Sequence, residues 1–366
     1  MLNIVSTSEK NCQECYSCVR NCPVKAVKVS GGQAEIIPER CLNCGNCVRV
    51  CSQKAKIVKD GIANVREWLA SRQKLVLILA PGFPAAFPPT EYTNLLSRIK
   101  ARGFSEVWEV ALGAQLISQE YQEYIKEVRE GESHPVISSP CPVVENLIRK
   151  HHPHLLRYLA PVDSPMTALA RFIHWFKDEE VKVIFAGPCI AKKQECGADK
   201  PVQEVLTFEE LKVILAEVEA GSLSAYPGNF DGFAPSPVYR AFPISGGLMK
   251  ALEMDIEIAG SNQVVEGIED TLELIQSLTG EEEEFFFFDL LFCRGCIDGP
   301  VLAIENLFTK KRRVWEYYQL EMVEGSLSSE EIPPDLLARS REEISFRRKF
   351  TTERDVLPVP DEHDIR

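Results

Sequence analysis

Eight of the chain's 13 cysteines lie within its first 51 residues. Cys12, Cys15, Cys18 and Cys22 follow the spacing C-x2-C-x2-C-x3-C, with Pro23 next. Cys41, Cys44, Cys47 and Cys51 repeat it, with Ser52 in the proline's place. The N-terminus, MLNIVSTSEKNCQEC, carries no apolar run of the signal-peptide kind. Its thiols are therefore expected in the reducing cytoplasm, where disulfides are rare and dense cysteine means metal or redox chemistry.

The doubled spacing is that of bacterial two-cluster ferredoxins. A tight loop wraps one 4Fe–4S cubane with its first three thiolates and sends the fourth to the neighbouring cluster. Cys12, Cys15, Cys18 and Cys51 are thus expected on one cluster, and Cys41, Cys44, Cys47 and Cys22 on the second. Between the motifs, AVKVSGGQAEII reads as a hairpin turning at Gly31-Gly32. A pair of zinc sites is the rival reading, but zinc needs only paired C-x2-C units, not the third and fourth cysteines at this spacing.

The length of 366 residues suggests two or three domains, and an apolar fraction of 45% is ample for a core. With 54 acidic residues against 41 Lys plus Arg, the net charge of −13 argues against nucleic acid as a partner. No membrane span is expected: the longest apolar candidate, Leu75 to Pro89, is interrupted by Pro81, Gly82, Pro84 and Pro88.

We divide the chain into a two-cluster unit over residues 1–60, an α/β domain over 61–310 and a charged helical extension or linker over 311–366. In the second part, strands are expected at Leu75–Ala80, Glu106–Val110, Val136–Ser138 and Val181–Ala186, and one beginning at the phenylalanines of EEEEFFFF. Helices are expected at Ile62–Arg72, Glu91–Ala101, Leu112–Glu130, Val143–His151, Met166–Lys177 and Phe208–Glu219. Such alternation implies a largely parallel sheet. Gly221 to Gly247 reads as an irregular surface excursion, and the final LPVPDEHDIR as a tail.

Three apolar strands run directly into cysteine: VISSPC at Cys141, VIFAGPC at Cys189 and FFFFDLLFCRGC at Cys293 and Cys296. Open α/β sheets hold ligands at the carboxyl ends of their strands. Three such ends converging would bring four thiolates together, enough for one more cubane. Pro142 marks a helix start beside Cys141, and a helix N-terminus favours an anionic cluster. Buried structural cysteine is the plain alternative for each thiol taken singly.

The loops SSPCP, GPCIAKKQE and CRGCIDGP resemble the three signature loops of FeFe (iron-only) hydrogenases, in which two-cluster ferredoxin units commonly precede the catalytic domain. The resemblance implies that Cys141, Cys189, Cys293 and Cys296 hold an H-cluster-type cubane. It makes Cys296 the bridge to a diiron centre carrying CO and cyanide. Lys192 would hydrogen-bond a cyanide, while Lys193 is expected at the surface. GAQLISQEYQE is similar to the family's proton-path segment, with Glu120 and Glu123 as its carboxylates; an ordinary helix surface is the alternative for both.

The departures are as informative. Pro140 stands where the family has a proton-relaying cysteine, and Ala160 where it has a serine. Gly187, Met166 and Gly82 replace a methionine, a glutamine and a serine, and the third loop is one residue short. This pattern is similar to the divergent, sensory members of the family. It implies slow interconversion of H2 with protons, an electron partner such as ferredoxin or another redox protein, and a signalling partner. The rival is a non-catalytic three-cubane protein without the diiron subcluster. His151, His152 and His154 are read as an ordinary helix end, and Cys196 as a spare thiol. No phosphate-binding glycine motif occurs.

Overall fold

The computed structural model describes residues 4–92, 94–177, 180–217, 229–254, 261–302, 306–324 and 330–352. Its N-terminal unit is built from very short elements because the chain must return to a cysteine every few residues. Strand β1 (Val5–Thr7) pairs antiparallel with β4 (Lys56–Val58), and β2 (Val27–Ser30) with β3 (Gln33–Ile36). Ser30 faces Gln33 across the expected turn, where Gly31 and Gly32 have φ of 54° and 82°, a conformation that glycine enters at no steric cost. Helices α1 (Ser17–Arg20) and α2 (Asn46–Arg49) start inside the two cysteine motifs. The apolar core here is thin: Cys18, Cys22, Ala26, Val27 and Ala34.

Helix α3 (Ile62–Ala70) leads into a parallel sheet of β5 (Leu75–Leu79), β6 (Glu106–Glu109), β8 (Lys182–Gly187) and β9 (Glu204–Thr207), in the order β6-β5-β8-β9. Every residue of β5 is buried, as expected of a central parallel strand covered on both faces. The single helix expected over 91–101 is instead two, α4 (Pro89–Tyr92) and α5 (Leu95–Arg102). The long α6 (Ala111–Glu130) is followed by β7 (Val136–Ile137), α7 (Pro142–His151) and α8 (Pro165–Phe176). Where α6 meets α8, a Cβ on Gly113 would lie 2.0 Å from the Pro165 carbonyl oxygen, so no larger residue fits. Helix α9 (Phe208–Leu215) starts in a capping box of Thr207 and Glu210; its expected last residues, 218 and 219, lie outside the described residues.

Helix α10 (Gly247–Ala251), β10 (Asn262–Glu266), α11 (Ile268–Ser277) and β11 (Phe287–Leu291) complete a second parallel sheet, ordered β10-β11-β7. Strands β9 and β10 were not legible in the sequence. EVLT and NQVVE are short, carry acidic ends and lack the continuous apolar run that marks β5. The three cysteine-bearing strands also do not share one sheet, as a single open sheet would require. Strand β8 belongs to the first sheet, β7 and β11 to the second.

Two further expectations are corrected by packing. Within the supposed surface excursion, Arg240 is 2% exposed and pairs with buried Glu109 at 2.8 Å; burying a charge requires such a partner. The charged C-terminal part is helical, in α12 (Leu307–Glu324) and α13 (Pro334–Glu343). It is no loose linker, for Tyr317 and Phe346 belong to the main core. Residues 346–348 lie along 161–163: Asp163 N–H donates to Phe346 O (2.8 Å) and Arg348 N–H to Pro161 O (2.9 Å). The tail LPVPDEHDIR lies outside the described residues.

Candidate cluster and active site

In the N-terminal unit, Cys44 has Cys47, Cys41 and Cys22 as its interacting thiols, and Cys18 has Cys51. Backbone N–H groups reach the sulfurs: Ala26 to Cys22 at 3.1 Å, Ala55 to Cys51 at 3.2 Å and Asn43 to Cys41 at 3.4 Å. Burial pushes the Cys18, Cys41 and Cys44 thiols up, and Cys47 up to about 12, with neighbouring thiolates adding to the shift at Cys44 and Cys47. Thiols so placed keep their protons unless a cationic centre takes the charge, which is what iron does. The buried ammonium of Lys56 donates to Ala34 O (3.1 Å) and Thr7 Oγ1 (2.5 Å) and acts on Cys18, Cys41 and Cys47.

The second cysteine group lies where the carboxyl ends of the two sheets approach. Cys141 caps α7, with Pro142 in its first turn, and Cys189 precedes a 3-10 turn over Ile190–Gln194. Cys293 and Cys296 follow β11. Burial raises the Cys293 and Cys296 thiols, with repulsion from Cys141 and Cys189 as further causes for both and from Cys296 for Cys293. Cys189 is pushed up to about 11 by burial and by Cys141. The four thiols are thus within electrostatic range of one another, while among the described residues no three Cys, His, Asp or Glu side chains stand together as a metal site. Gly299 locks the second and third loops together: a Cβ there would lie 2.0 Å from Pro188 O.

Beside this group is a cavity of about 90 Å³ with an almost wholly apolar wall, including Met166, Phe185, Phe242, Cys189, Cys296 and Lys192. Lys192 is its charged residue. The Lys192 ammonium donates to Pro140 O (3.2 Å) and lies 2.6 Å from Glu195 Oε2. The Phe185 ring covers the space beside Gly187, where a Cβ would come within 2.4 Å of it. Gly82 lets the chain run close to the third loop, its Cβ position lying 3.2 Å from Cys296 O.

The two cysteine groups are in contact through their loops. Gly45, between Cys44 and α2, has φ 74°, and a Cβ on it would meet Pro300 at 2.4 Å and Ile190 at 2.7 Å. Cys44 and Cys293 line a single cleft with Arg49 and Asp298. The second ferredoxin motif is therefore seated on the loops that bear Cys189 and Cys296.

Glu120 is buried on α6, with Arg347 Nε at 3.2 Å and Arg341 at 3.8 Å; the more exposed Glu123 pairs with Arg341 at 2.6 Å. Neither lines the cavity. Ala160 is fully buried, and Pro140 is on the cavity wall with no proton to give. Lys193 is not at the surface: it is 6% exposed and bonds Glu210 (2.9 Å) and Val205 O (2.7 Å). Sequence reasoning missed Glu195 and the C-terminal arginines. Glu195 was visible in the GPCIAKKQE loop, but nothing local connects Arg341, Arg347 or Arg348 to α6 or to that loop.

A ferredoxin-type dicluster unit seated on paired parallel sheets with thiols at their carboxyl ends defines an iron–sulfur protein of the hydrogenase type. The comparisons agree. The family described as "Iron only hydrogenase large subunit, C-terminal domain" matches residues 73–300, and "4Fe-4S dicluster domain" matches residues 4–52. The chain belongs to the iron-only hydrogenase large-subunit family. It is 22% identical over 262 residues to Iron hydrogenase 1 of Clostridium pasteurianum, a match covering 56% of this chain and 44% of that relative's length. A solved FeFe-hydrogenase, HydA(deltaEFG), superposes with a TM-score of 0.62 at 16% identity, covering 81% of this chain and 100% of that one. An apo variant of FeFe-hydrogenase HydA1 from Chlamydomonas reinhardtii superposes at 0.60 and 15% identity, over 81% and 100%. These superpositions concern the fold. Among the described residues, no helix is long and apolar enough to cross a membrane.

Proposed function

We propose that this chain carries two 4Fe–4S clusters in its N-terminal unit and an H-cluster at the second cysteine group, and that it interconverts H2 with protons and electrons slowly, in a sensing role. The observation that carries the reading is the apolar cavity bounded by Cys189, Cys296 and Lys192. A diiron subcluster with CO and cyanide needs a thiolate bridge, a cation for cyanide and dry walls for neutral ligands. Cys296 is suited to be the bridge, Lys192 the cation, and Met166, Phe185 and Phe242 the walls. When bound, that group would supply the H2 chemistry. Cys141, Cys189, Cys293 and Cys296 would hold the adjoining cubane, and the seat of Gly45 on Pro300 and Ile190 favours electron exchange with the cluster of Cys41, Cys44, Cys47 and Cys22. A ferredoxin or another redox protein would exchange electrons at the N-terminal unit.

Slow turnover follows from the proton side. Pro140 has no exchangeable proton, and its carbonyl already accepts from Lys192. Ala160 offers none either. Glu120 and Glu123 would be the outer carboxylates of a route, but arginines hold both. A reduced role, three cubanes with no diiron centre, is favoured by the shortened third loop and by Gly187, beside which the Phe185 ring occupies the space of a side chain. Anaerobic reconstitution with a diiron CO/cyanide complex separates the two. The H-cluster reading expects about 14 irons per chain and infrared bands of metal-bound CO and cyanide; about 12 irons and no such bands overturn it in favour of three cubanes. The slow-turnover argument fails alone if H2 is oxidised as fast as by hydrogenases with a cysteine relay.

A further inference from the structure

Lys192 has two anchors, Pro140 O and Glu195, and one guanidinium addresses both. Arg348 Nη2 donates to Ser139 O at 2.8 Å, on the peptide that leads into Pro140. Its Nη1 lies 3.5 Å from Glu195 Oε1, on the carboxylate whose Oε2 is 2.6 Å from the Lys192 ammonium, and 3.1 Å from Glu145 Oε2. Its Nε donates to Val162 O at 3.0 Å. The backbone from which Arg348 reaches is fixed, since residues 346–348 run along 161–163 and Phe346 is fully buried. Its neighbour Arg347 turns the other way, onto Glu120 and Glu127.

We propose that Arg348 is a positioning residue for Lys192: it divides the Glu195 carboxylate between two cations and pins the Ser139–Pro140 peptide, so that the ammonium stays at the cavity wall. The guanidinium is suited to this because its planar fork bonds carbonyl and carboxylate oxygens at the same time, in fixed directions. Without it, Glu195 is left with Lys192 as its nearest cation in a buried site. The carboxylate then turns both oxygens to the ammonium and draws it from Pro140 O and the cavity. The segment around Arg348 thereby sets the charge presented to whatever the cavity holds. The assignment rests on the reading of that cavity as a diiron site, and its test keeps the two apart.

The full chain is prepared as wild type, Arg348→Gln, Arg348→Lys and Arg347→Gln, the last controlling for loosening of the segment. After diiron loading, the cyanide infrared band should move in Arg348→Gln, move back toward the wild-type position in Arg348→Lys, and stay in place in Arg347→Gln. An unmoved band in a loaded Arg348→Gln chain, or an equal movement in Arg347→Gln, overturns the proposal and leaves the diiron reading intact. If the wild-type chain takes up no diiron group, that reading fails, and acylation of Lys192 followed by mass spectrometry decides the positioning claim. A several-fold change in the Lys192 labelling rate in Arg348→Gln, absent from Arg347→Gln, supports it; equal rates overturn it. Should Arg348→Gln not fold, Arg348→Lys carries the same measurements, with a smaller displacement expected and identity with wild type overturning the claim.

Discussion

The two halves of the cysteine set solve the same problem in opposite ways. In the N-terminal unit eight thiols sit a few residues apart, and the apolar core is little more than Cys18, Cys22, Ala26, Val27 and Ala34. In the α/β domain four thiols come from loops far apart in the chain, held by two sheets and a core in which β5, β6 and β8 are almost wholly buried. Where the core is thin, metal–thiolate bonds must supply the folding free energy. Where it is large, the fold exists first and the site is a property of it.

Iron removal should expose that difference most strongly. Stripping the iron anaerobically is expected to abolish hydrogen-exchange protection across residues 4–58 while β5 and β8 stay protected. Simultaneous loss in both regions would mean that the second site also holds its domain together.

Gly299→Ala should break the assembled site and spare the local one. The added methyl meets the Pro188 backbone, and such overpacking costs about 1–3 kcal/mol. In the chain loaded with cubanes but not with the diiron group, iron is expected to fall by about four per chain, the content of one cubane. Unchanged iron would show that the second and third loops can part without losing the cluster.

A smaller effect concerns pH. Burial pushes Asp289 on β11 up to about 7 from its ordinary 3.8. The folded chain therefore holds a proton that the unfolded chain releases between those values. Stability falls as pH rises across that window, and the full cost of the buried charge is present above it. Asp289→Asn should flatten this dependence in urea melts compared at about pH 5 and about pH 8; an equal slope in both proteins removes Asp289 as the cause.

Smallest is the effect of Lys56→Met. Its ammonium acts on cysteines of both N-terminal motifs, so its loss should lower those clusters' potentials by on the order of 50 mV, a Coulomb energy at protein-like dielectric. The third cluster should stay where it is. An equal fall at all three would indicate a general loosening of the unit.

What could be read in advance follows the same division. The ferredoxin spacing and the hairpin at Gly31-Gly32 are local, and short-range sterics suffice to write them into a few residues. The strands before Cys141, Cys189 and Cys293 were legible because a strand buried on both faces must be continuously apolar. The two-sheet arrangement was not, since β9 and β10 carry polar ends and gain their partners only by long-range pairing. Lys193 was misread because its burial depends on Glu210 and Val205, which belong to other elements. The family loops pointed to Lys192, but its anchoring by Arg348 across more than 150 residues left no trace in either segment.

The sequence by itself determined the chemistry available: eight thiols in a doubled ferredoxin spacing, four more where apolar runs end, an ammonium in the second loop, and at residues 140 and 160 a proline and an alanine with no proton to give. Tertiary structure decided which loops carrying thiols are packed together, how apolar the cavity beside them is, which oxygens hold the Lys192 ammonium and that arginines occupy Glu120 and Glu123. The reason is physical. Ligand identity is a property of single residues and their near spacing, whereas proximity, desolvation and charge pairing between distant segments exist only once the core has closed around them.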